Sequence, residues 1–107
     1  MKNAEILRRL AETIAARKQG DPASSYVASL FAKGQDAILK KVAEEAAETV
    51  LASKGGDKLH LVRETVDLWF HSLVFLVWYG LVFEDVFAEL QRREGISGID
   101  EKKSRRN

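Results

Sequence analysis

KLHLVRETVDLWFHSLVFLVWY, residues 58–79, is the stretch that decides the fold. When it is drawn as an α-helix, with about 100° between successive residues, its apolar side chains fill two adjoining sides. The first side carries Val62, Val66, Trp69, Leu73 and Leu76, and the second carries Phe70, Val74 and Val77. A helix that is apolar nearly all round belongs in the centre of a fold. The stretch therefore predicts a buried central helix, for which Asp57 is the N-cap.

The flanking segments are also helical in pattern, because the chain has a single proline and no sustained alternation of polar and apolar residues. The predicted helices cover about residues 3–19, from an N-cap at Asp36 to about residue 54, and from Glu84 or Asp85 to near Gly95. A short helix fits within SSYVASLFAKG, and Gly34 ends it. Short loops between helices favour antiparallel neighbours. We therefore predict an all-α fold, an antiparallel helix bundle of about four to five helices completed by dimerisation.

Composition narrows the classes of protein. The chain of 107 residues has room for one domain over residues 1–107, with a polar tail from about residue 96 that is loose in isolation. Its net charge of +1 argues against a nucleic-acid or membrane partner, and its lack of cysteine excludes disulfides and thiolate sites. The N-terminal segment lacks the apolar core of a signal peptide. The most apolar run, residues 68–83, is shorter than the roughly 20 residues of a membrane span.

KVAEEAAETV, residues 41–50, contains three carboxylates in an apolar helix: Glu44, Glu45 and Glu48. Glu45 falls roughly 20° from Ile38 on the helical wheel, at the edge of the apolar face. Glu45 and Glu48 are neighbours on the helix surface, whereas Glu44 points about 100° away from Glu45 and is expected on the surface. The predicted buried stripe of this helix follows Ile38, Val42, Ala46 and Val50.

A second acidic pair, Glu64 and Asp67, lies in the long apolar helix. Because the SKGGDK turn folds the two helices antiparallel, Glu48 comes level with Glu64 and Glu45 with Asp67. Buried carboxylates are costly unless a charge or a metal compensates them, so four that converge require a cation. Oxygen ligands favour a hard ion, which predicts Mg²⁺ or Mn²⁺. On the same stripe, His71 is expected to be a hydrogen-bonded core histidine rather than a ligand, with support of the metal ligands as the alternative.

Each of these features also has an ordinary structural interpretation. A Glu-x-x-Glu pair by itself is typical of a solvated helix face. The lysines that precede the acidic motif either meet phosphates or belong to such a face: Lys33, Lys40 and Lys41. Trp69 and Trp78 are predicted to be core or dimer-interface residues. The basic tail is either a solubilising terminus or a segment that closes over an anionic ligand.

Two motifs together resemble a known family. EEAAE, residues 44–48, followed by ETVD, residues 64–67, is similar to the EExxE…ExxD signature of the all-α nucleoside triphosphate pyrophosphatases, the MazG-like superfamily. Within that superfamily the chain resembles the phosphoribosyl-ATP pyrophosphatases of histidine biosynthesis. The segments that carry this narrower resemblance are SYVASLFAKGQDAILKKVAEEAAE, the GDK turn, ETVDLWFHSLVFL and GISGIDEKKSR, and it covers about residues 25–105.

The resemblance implies Mg²⁺-dependent hydrolysis of phosphoribosyl-ATP to phosphoribosyl-AMP and pyrophosphate by a cytoplasmic homodimer or higher oligomer. It implies that Glu45, Glu48, Glu64 and Asp67 are the metal ligands. Glu44 and Glu45 would be the catalytic carboxylates, with Glu44 as support or as a base that orients water, and Lys33, Lys40 and Lys41 would contact the phosphates. Two alternatives remain open: a house-cleaning hydrolase for non-standard nucleoside triphosphates, and a helical dimerisation module without catalysis.

Overall fold

The computed structural model describes residues 5–106, which form six α-helices and contain no strand. In chain order these are α1 (Glu5–Arg17), α2 (Tyr26–Lys33), α3 (Gln35–Gly55), α4 (Lys58–Trp78), α5 (Phe83–Arg92) and α6 (Gly98–Arg106). The all-α prediction is confirmed. The helices number one more than the four to five expected, because the C-terminal tail is itself helical. The predicted start of the first helix at Asn3 lies outside the described residues.

The ends of the central helices follow local chemistry. Asp57 caps α4 as predicted, since its Oδ1 accepts hydrogen bonds from the backbone N–H groups of Leu59, at 3.0 Å, and His60, at 3.3 Å. The short helix α2 is confirmed and ends at Gly34. The prediction of Asp36 as the N-cap of α3 is wrong, because Gly34 holds that position as well, with a φ of 99°. Glycine adopts this positive φ without strain, so the chain turns there directly from α2 into α3.

The buried stripe of α3 differs from the predicted one. Its buried residues are Ile38, Glu45 and Ala52, whereas Ala46 and Val50 are exposed. A seven-residue spacing drifts only about 20° per step around an α-helix, whereas a four-residue spacing drifts about 40° per step. Residues that recur every four positions are therefore carried away from the neighbouring helix, and Glu45 takes the place in the contact that was expected of Ala46.

The core joins α1, α3 and α4, which contribute the fully buried Ile14, Ile38 and Val74. The most extensive helix pair is α3 with α4, and α1 packs on another side of α4. The prediction of a central α4 is confirmed by its packing on α3 and α1, but α4 is not wholly buried within one chain, since Val62, Val66 and Trp69 are more than half exposed. This apolar side is therefore largely open to solvent.

The last two helices differ from the predictions at their starts. α5 begins at Phe83 with Val82 as its N-cap, and Asp85 accepts a hydrogen bond from the Val82 N–H at 3.0 Å. Asp85 therefore acts from inside the helix rather than opening it. The tail, expected to be loose, forms α6, in which Glu101 is buried and contacts Arg92 Nη2 at 2.6 Å and Arg105 Nε at 3.4 Å. Paired charges hold this polar helix in place.

Within residues 5–106, no single helix is long and apolar enough to cross a membrane. The helices α4 and α5 reach the required length and composition only when they are taken together, and they meet at a bend of 106°.

Candidate metal centre

The α3–α4 hairpin brings the two acidic pairs together. Gly56, with a left-handed φ of 83°, ends α3, and Asp57 starts α4 immediately after it. Beside the acidic residues, Thr49 links the helices: its Oγ1 lies 2.7 Å from the carbonyl oxygen of Glu45 and 3.2 Å from that of Glu64. This hydroxyl holds the backbone turns that carry the two glutamates next to each other.

Three of the four predicted ligands converge. Glu45, Glu48 and Glu64 each offer a carboxylate oxygen, and these oxygens lie within 4.8 Å of one another. Glu45 is only 5% exposed, Glu64 is half-buried and Glu48 faces solvent. The Oε2 atoms of Glu45 and Glu64 are buried and accept no hydrogen bond from any described residue. Anionic oxygens of this kind, clustered and unsatisfied, fit a hard divalent cation.

Asp67 lies outside this group of three and is exposed. Its charge nevertheless acts on the same neighbour as that of Glu45. Burial raises the pKa of Tyr26, the Lys41 charge opposes that rise, and the charges of Glu45 and Asp67 add to it. Glu45 and Asp67 therefore both act electrostatically on the Tyr26 hydroxyl.

Lysines of α3 neutralise part of the acidic cluster. Lys41 Nζ lies 3.3 Å from Glu45 Oε1 and 3.5 Å from Glu44 Oε2, and Lys40 Nζ lies 3.9 Å from Glu44 Oε1. Burial alone would lower the pKa of Lys41, but its hydrogen bond to Glu45 and the nearby negative charges outweigh burial and raise it. Glu44 is half-buried and held by both lysines, beside the cluster rather than on the far surface. Lys33 is exposed at the end of α2.

His71 is the satisfied core histidine that was expected. Its Nδ1 lies 2.7 Å from the carbonyl oxygen of Asp67, which can only accept, so Nδ1 donates. In the neutral ring Nε2 is then the acceptor, and the Tyr26 hydroxyl donates to it at 2.7 Å. Both ring nitrogens are engaged, and the histidine ties α2 to the backbone of the Asp67 turn.

Sequence reasoning missed three residues around the cluster: Tyr26, Thr49 and His60. His60 Nε2 donates to Glu64 Oε1 at 3.3 Å, and the i, i+4 spacing on one helix was the signal that could have found it. Tyr26 is 45 residues from His71 along the chain, so no local pattern indicates their contact.

Comparison with known proteins agrees with this geometry. Residues 7–94 match the family described as phosphoribosyl-ATP pyrophosphohydrolase. A phosphoribosyl-ATP pyrophosphatase of Azoarcus sp. (strain BH72) is 64% identical over 107 residues, which is 100% of both chains. The protein of that name from Chromobacterium violaceum is 66% identical over 102 residues, covering 95% of this chain and 94% of the relative. The one from Aromatoleum aromaticum is 65% identical over 105 residues, covering 98% and 97% respectively.

The extent of these matches leaves no ambiguity of family, because the family covers the whole acidic hairpin and the relatives align along nearly the full chain. The helical fold of this chain agrees with the all-α, MazG-like superfamily to which that family belongs. The chain is a member of the phosphoribosyl-ATP pyrophosphohydrolase family.

Proposed function

We propose that this chain hydrolyses phosphoribosyl-ATP to phosphoribosyl-AMP and pyrophosphate, the second step of histidine biosynthesis, with Mg²⁺ as cofactor and Mn²⁺ as a substitute. Membership of the family and the name of the relatives support the substrate. One observation carries the metal: Glu45 Oε2 and Glu64 Oε2 are buried without a hydrogen-bond donor in the described chain, inside a three-carboxylate group. Such oxygens destabilise the fold unless a cation compensates them.

The proposed ligands are Glu45, Glu48, Glu64 and Asp67. The first three support the proposal by their proximity. Asp67 follows Glu64 by three residues on α4 and therefore lies on the neighbouring part of the same helix face. Its position in the ETVD motif, within the part of the chain that matches the family, supports its inclusion as the ligand at the exposed edge of the site.

The side chains around the proposed metal site have separate proposed roles in the reaction. Mg²⁺, when bound, screens the charge of the phosphates and activates water for attack on phosphorus. We assign to Glu44 the role of orienting the attacking water and accepting its proton, and its ion pairs with Lys40 and Lys41 beside the cluster support this assignment. Glu45 holds the buried side of the site. Lys33, Lys40 and Lys41 supply positive charge for the phosphate chain of the substrate.

A substrate panel tests this function. Purified protein is incubated with phosphoribosyl-ATP and with standard and non-standard nucleoside triphosphates, each with Mg²⁺ and with a chelator. We expect release of pyrophosphate from phosphoribosyl-ATP only when Mg²⁺ is present. Preferential hydrolysis of non-standard triphosphates would instead indicate a house-cleaning enzyme, and no hydrolysis of any compound would indicate a non-catalytic module.

The role of Glu45 is tested by Glu45→Gln. The amide keeps the size of the side chain but loses the charge that holds the cation, so we expect Mg²⁺-dependent kcat/KM to fall by at least about 100-fold. Glu94→Gln removes the same charge from an exposed position in the turn after α5 and is expected to leave the rate unchanged. Turnover of Glu45→Gln near that of the control would refute this assignment.

The protein is further proposed to act as a homodimer, or a higher homo-oligomer, in the cytoplasm, with residues 1–107 as one domain. The exposed side of α4 continues into an apolar groove between α1, α4 and α5 that includes Leu7, Trp69, Phe87 and Leu90. Large apolar patches on small proteins mark interaction surfaces. A second copy of the same chain supplies a matching apolar face, which a symmetric pair would bury.

A further inference from the structure

Lys41 is the internal counter-ion of the most buried carboxylate of the site. Its Nζ contacts Glu45 Oε1 at 3.3 Å, and the Glu45 side chain is only 7% exposed. A buried carboxylate without a compensating charge would strongly destabilise the fold, so this ammonium stabilises Glu45 as long as no other cation is present. The raised pKa of Lys41 agrees with a fully charged ammonium at neutral pH.

The same carboxylate belongs to the three-glutamate group that suits a divalent cation. An ammonium and a divalent ion on one carboxylate repel each other, and the repulsion is strong where water is scarce. Lys41 lies one helical turn before Glu45, and its side chain is 33% exposed, which leaves its flexible stem a path to solvent. The ammonium can therefore leave Glu45 without any change in α3.

We propose that Lys41 is an exchangeable counter-ion: it competes with the divalent cation for Glu45 in the free enzyme, and once displaced it pairs with the phosphates of the nucleotide. This inference rests on the proposed function and assigns Lys41 a role in the order and coupling of binding. A displaced ammonium needs an anion, and the substrate provides one. Cation binding consequently strengthens substrate binding, and linkage requires the reverse effect to be equal.

The test measures the affinity for the cation and for the substrate separately. Mg²⁺ is titrated by calorimetry into nucleotide-free wild type and Lys41→Met, and KM for phosphoribosyl-ATP is measured at saturating Mg²⁺. Methionine keeps the length and helix propensity of the side chain. We expect Lys41→Met to bind Mg²⁺ about tenfold more tightly, while its KM rises about tenfold, within the range of typical coupling. If Lys41 had only a structural role, its replacement would weaken the binding of Mg²⁺ as well as that of phosphoribosyl-ATP.

Lys40→Met is the matched control for the calorimetric experiment. It removes the same charge one residue away, where the ammonium contacts Glu44 at 3.9 Å and is 77% exposed. We expect its affinity for Mg²⁺ to change by less than about twofold, because exposed ion pairs contribute little.

Two results would overturn this inference and leave the proposed function standing. The first is unchanged or weaker Mg²⁺ binding by Lys41→Met. The second is equally tighter Mg²⁺ binding by Lys40→Met, which would show that any lysine charge near the site has the same effect. Wild type that binds no Mg²⁺ would remove the proposed metal centre and this inference together. A wild type that binds Mg²⁺ but does not hydrolyse phosphoribosyl-ATP would refute the proposed function while the competition at Glu45 is still measured.

Discussion

Glu64 and Asp67 are three residues apart on α4 but lie in different environments. Glu64 is half-buried, with one oxygen that accepts no hydrogen bond within the described structure, whereas Asp67 is exposed. The Thr49 hydroxyl lies 3.2 Å from the carbonyl oxygen of Glu64 and so holds the Glu64 turn of α4 close to α3. Two residues of the same motif are therefore expected to make different contributions to the free energy of folding. We therefore expect Glu64, but not Asp67, to reduce the stability of the metal-free protein.

This difference predicts that substitutions at Glu64 and Asp67 differ in their effect on stability, although both lower activity. In chelator, Glu64→Gln should raise the free energy of unfolding by about 1 kcal/mol, because a buried charge is replaced by a neutral amide. Asp67→Asn should stay within about 0.5 kcal/mol of wild type, as exposed substitutions usually do. Both should lower Mg²⁺-dependent turnover. Urea unfolding with and without Mg²⁺ is the measurement, and a clear destabilisation of metal-free Glu64→Gln would contradict the argument.

At the scale of the helices, α6 shows how a polar segment is held. It has few apolar side chains, and the large apolar Ile99 is 71% exposed. Its attachment depends on Glu101, which is buried and lies 2.6 Å from Arg92 Nη2 and 4.0 Å from Arg93 Nε. The hydrogen bond from Arg92 holds the pKa of Glu101 below its usual value, even though burial acts in the opposite direction. The docking of α6 therefore depends on the ionised form of one carboxylate.

The docking of α6 should depend on pH. The folded-state pKa of Glu101 is lowered, so its stabilising effect is complete above the ordinary glutamate value of 4.5 and is lost as pH falls through the lower folded value. Amide hydrogen-exchange protection of residues 98–105 should be constant from neutral pH to just above 4.5 and decrease below it. Glu101→Gln should lose this protection already at neutral pH, while Glu94→Gln should behave as wild type. Protection that is unaffected by Glu101→Gln would show that other contacts hold α6.

At the scale of the whole molecule, a single chain leaves large apolar side chains exposed to solvent. The exposed side of α4 carries Val62, Val66 and Trp69, the last of which is 57% exposed. A chain of 107 residues buries a limited share of its surface when it folds alone, so we expect a second copy of the chain to cover this apolar side of α4. Glu64 of the acidic cluster and this apolar face belong to the same helix, α4.

Trp69→Glu should therefore give a monomer. A charge in the middle of an apolar interface is costly, whereas on an exposed surface it changes stability little. Sedimentation velocity should show wild type as a dimer and Trp69→Glu as a monomer with unchanged helical content by circular dichroism. Ile99→Glu, on an exposed site of α6, is the matched control and should remain dimeric. A monomeric wild type, or a dimer that persists in Trp69→Glu, would exclude this interface.

The sequence by itself determined the helices up to α5, apart from some of their first residues, and the spacing of the acidic residues. A helix has a fixed rotation and rise per residue, so caps such as Asp57 and i, i+3 pairs such as Glu45 and Glu48 are local properties that a pattern reports directly. The antiparallel return of α4 also follows from a short glycine turn. For these reasons the all-α class and three members of the candidate cluster were predictable from the sequence, as was the family resemblance.

Only the tertiary structure decided which helix sides are covered and which distant residues meet. The exposure of Val62 and Trp69, the link from Tyr26 to His71, and the docking of Glu101 on Arg92 depend on the angles at which helices pack. Those angles result from many weak contacts between segments far apart in the chain, and no local pattern encodes them. The difference between Glu64 in the cluster and Asp67 at its edge has the same origin, because a few degrees of helix rotation decide whether a carboxylate faces its neighbour or water.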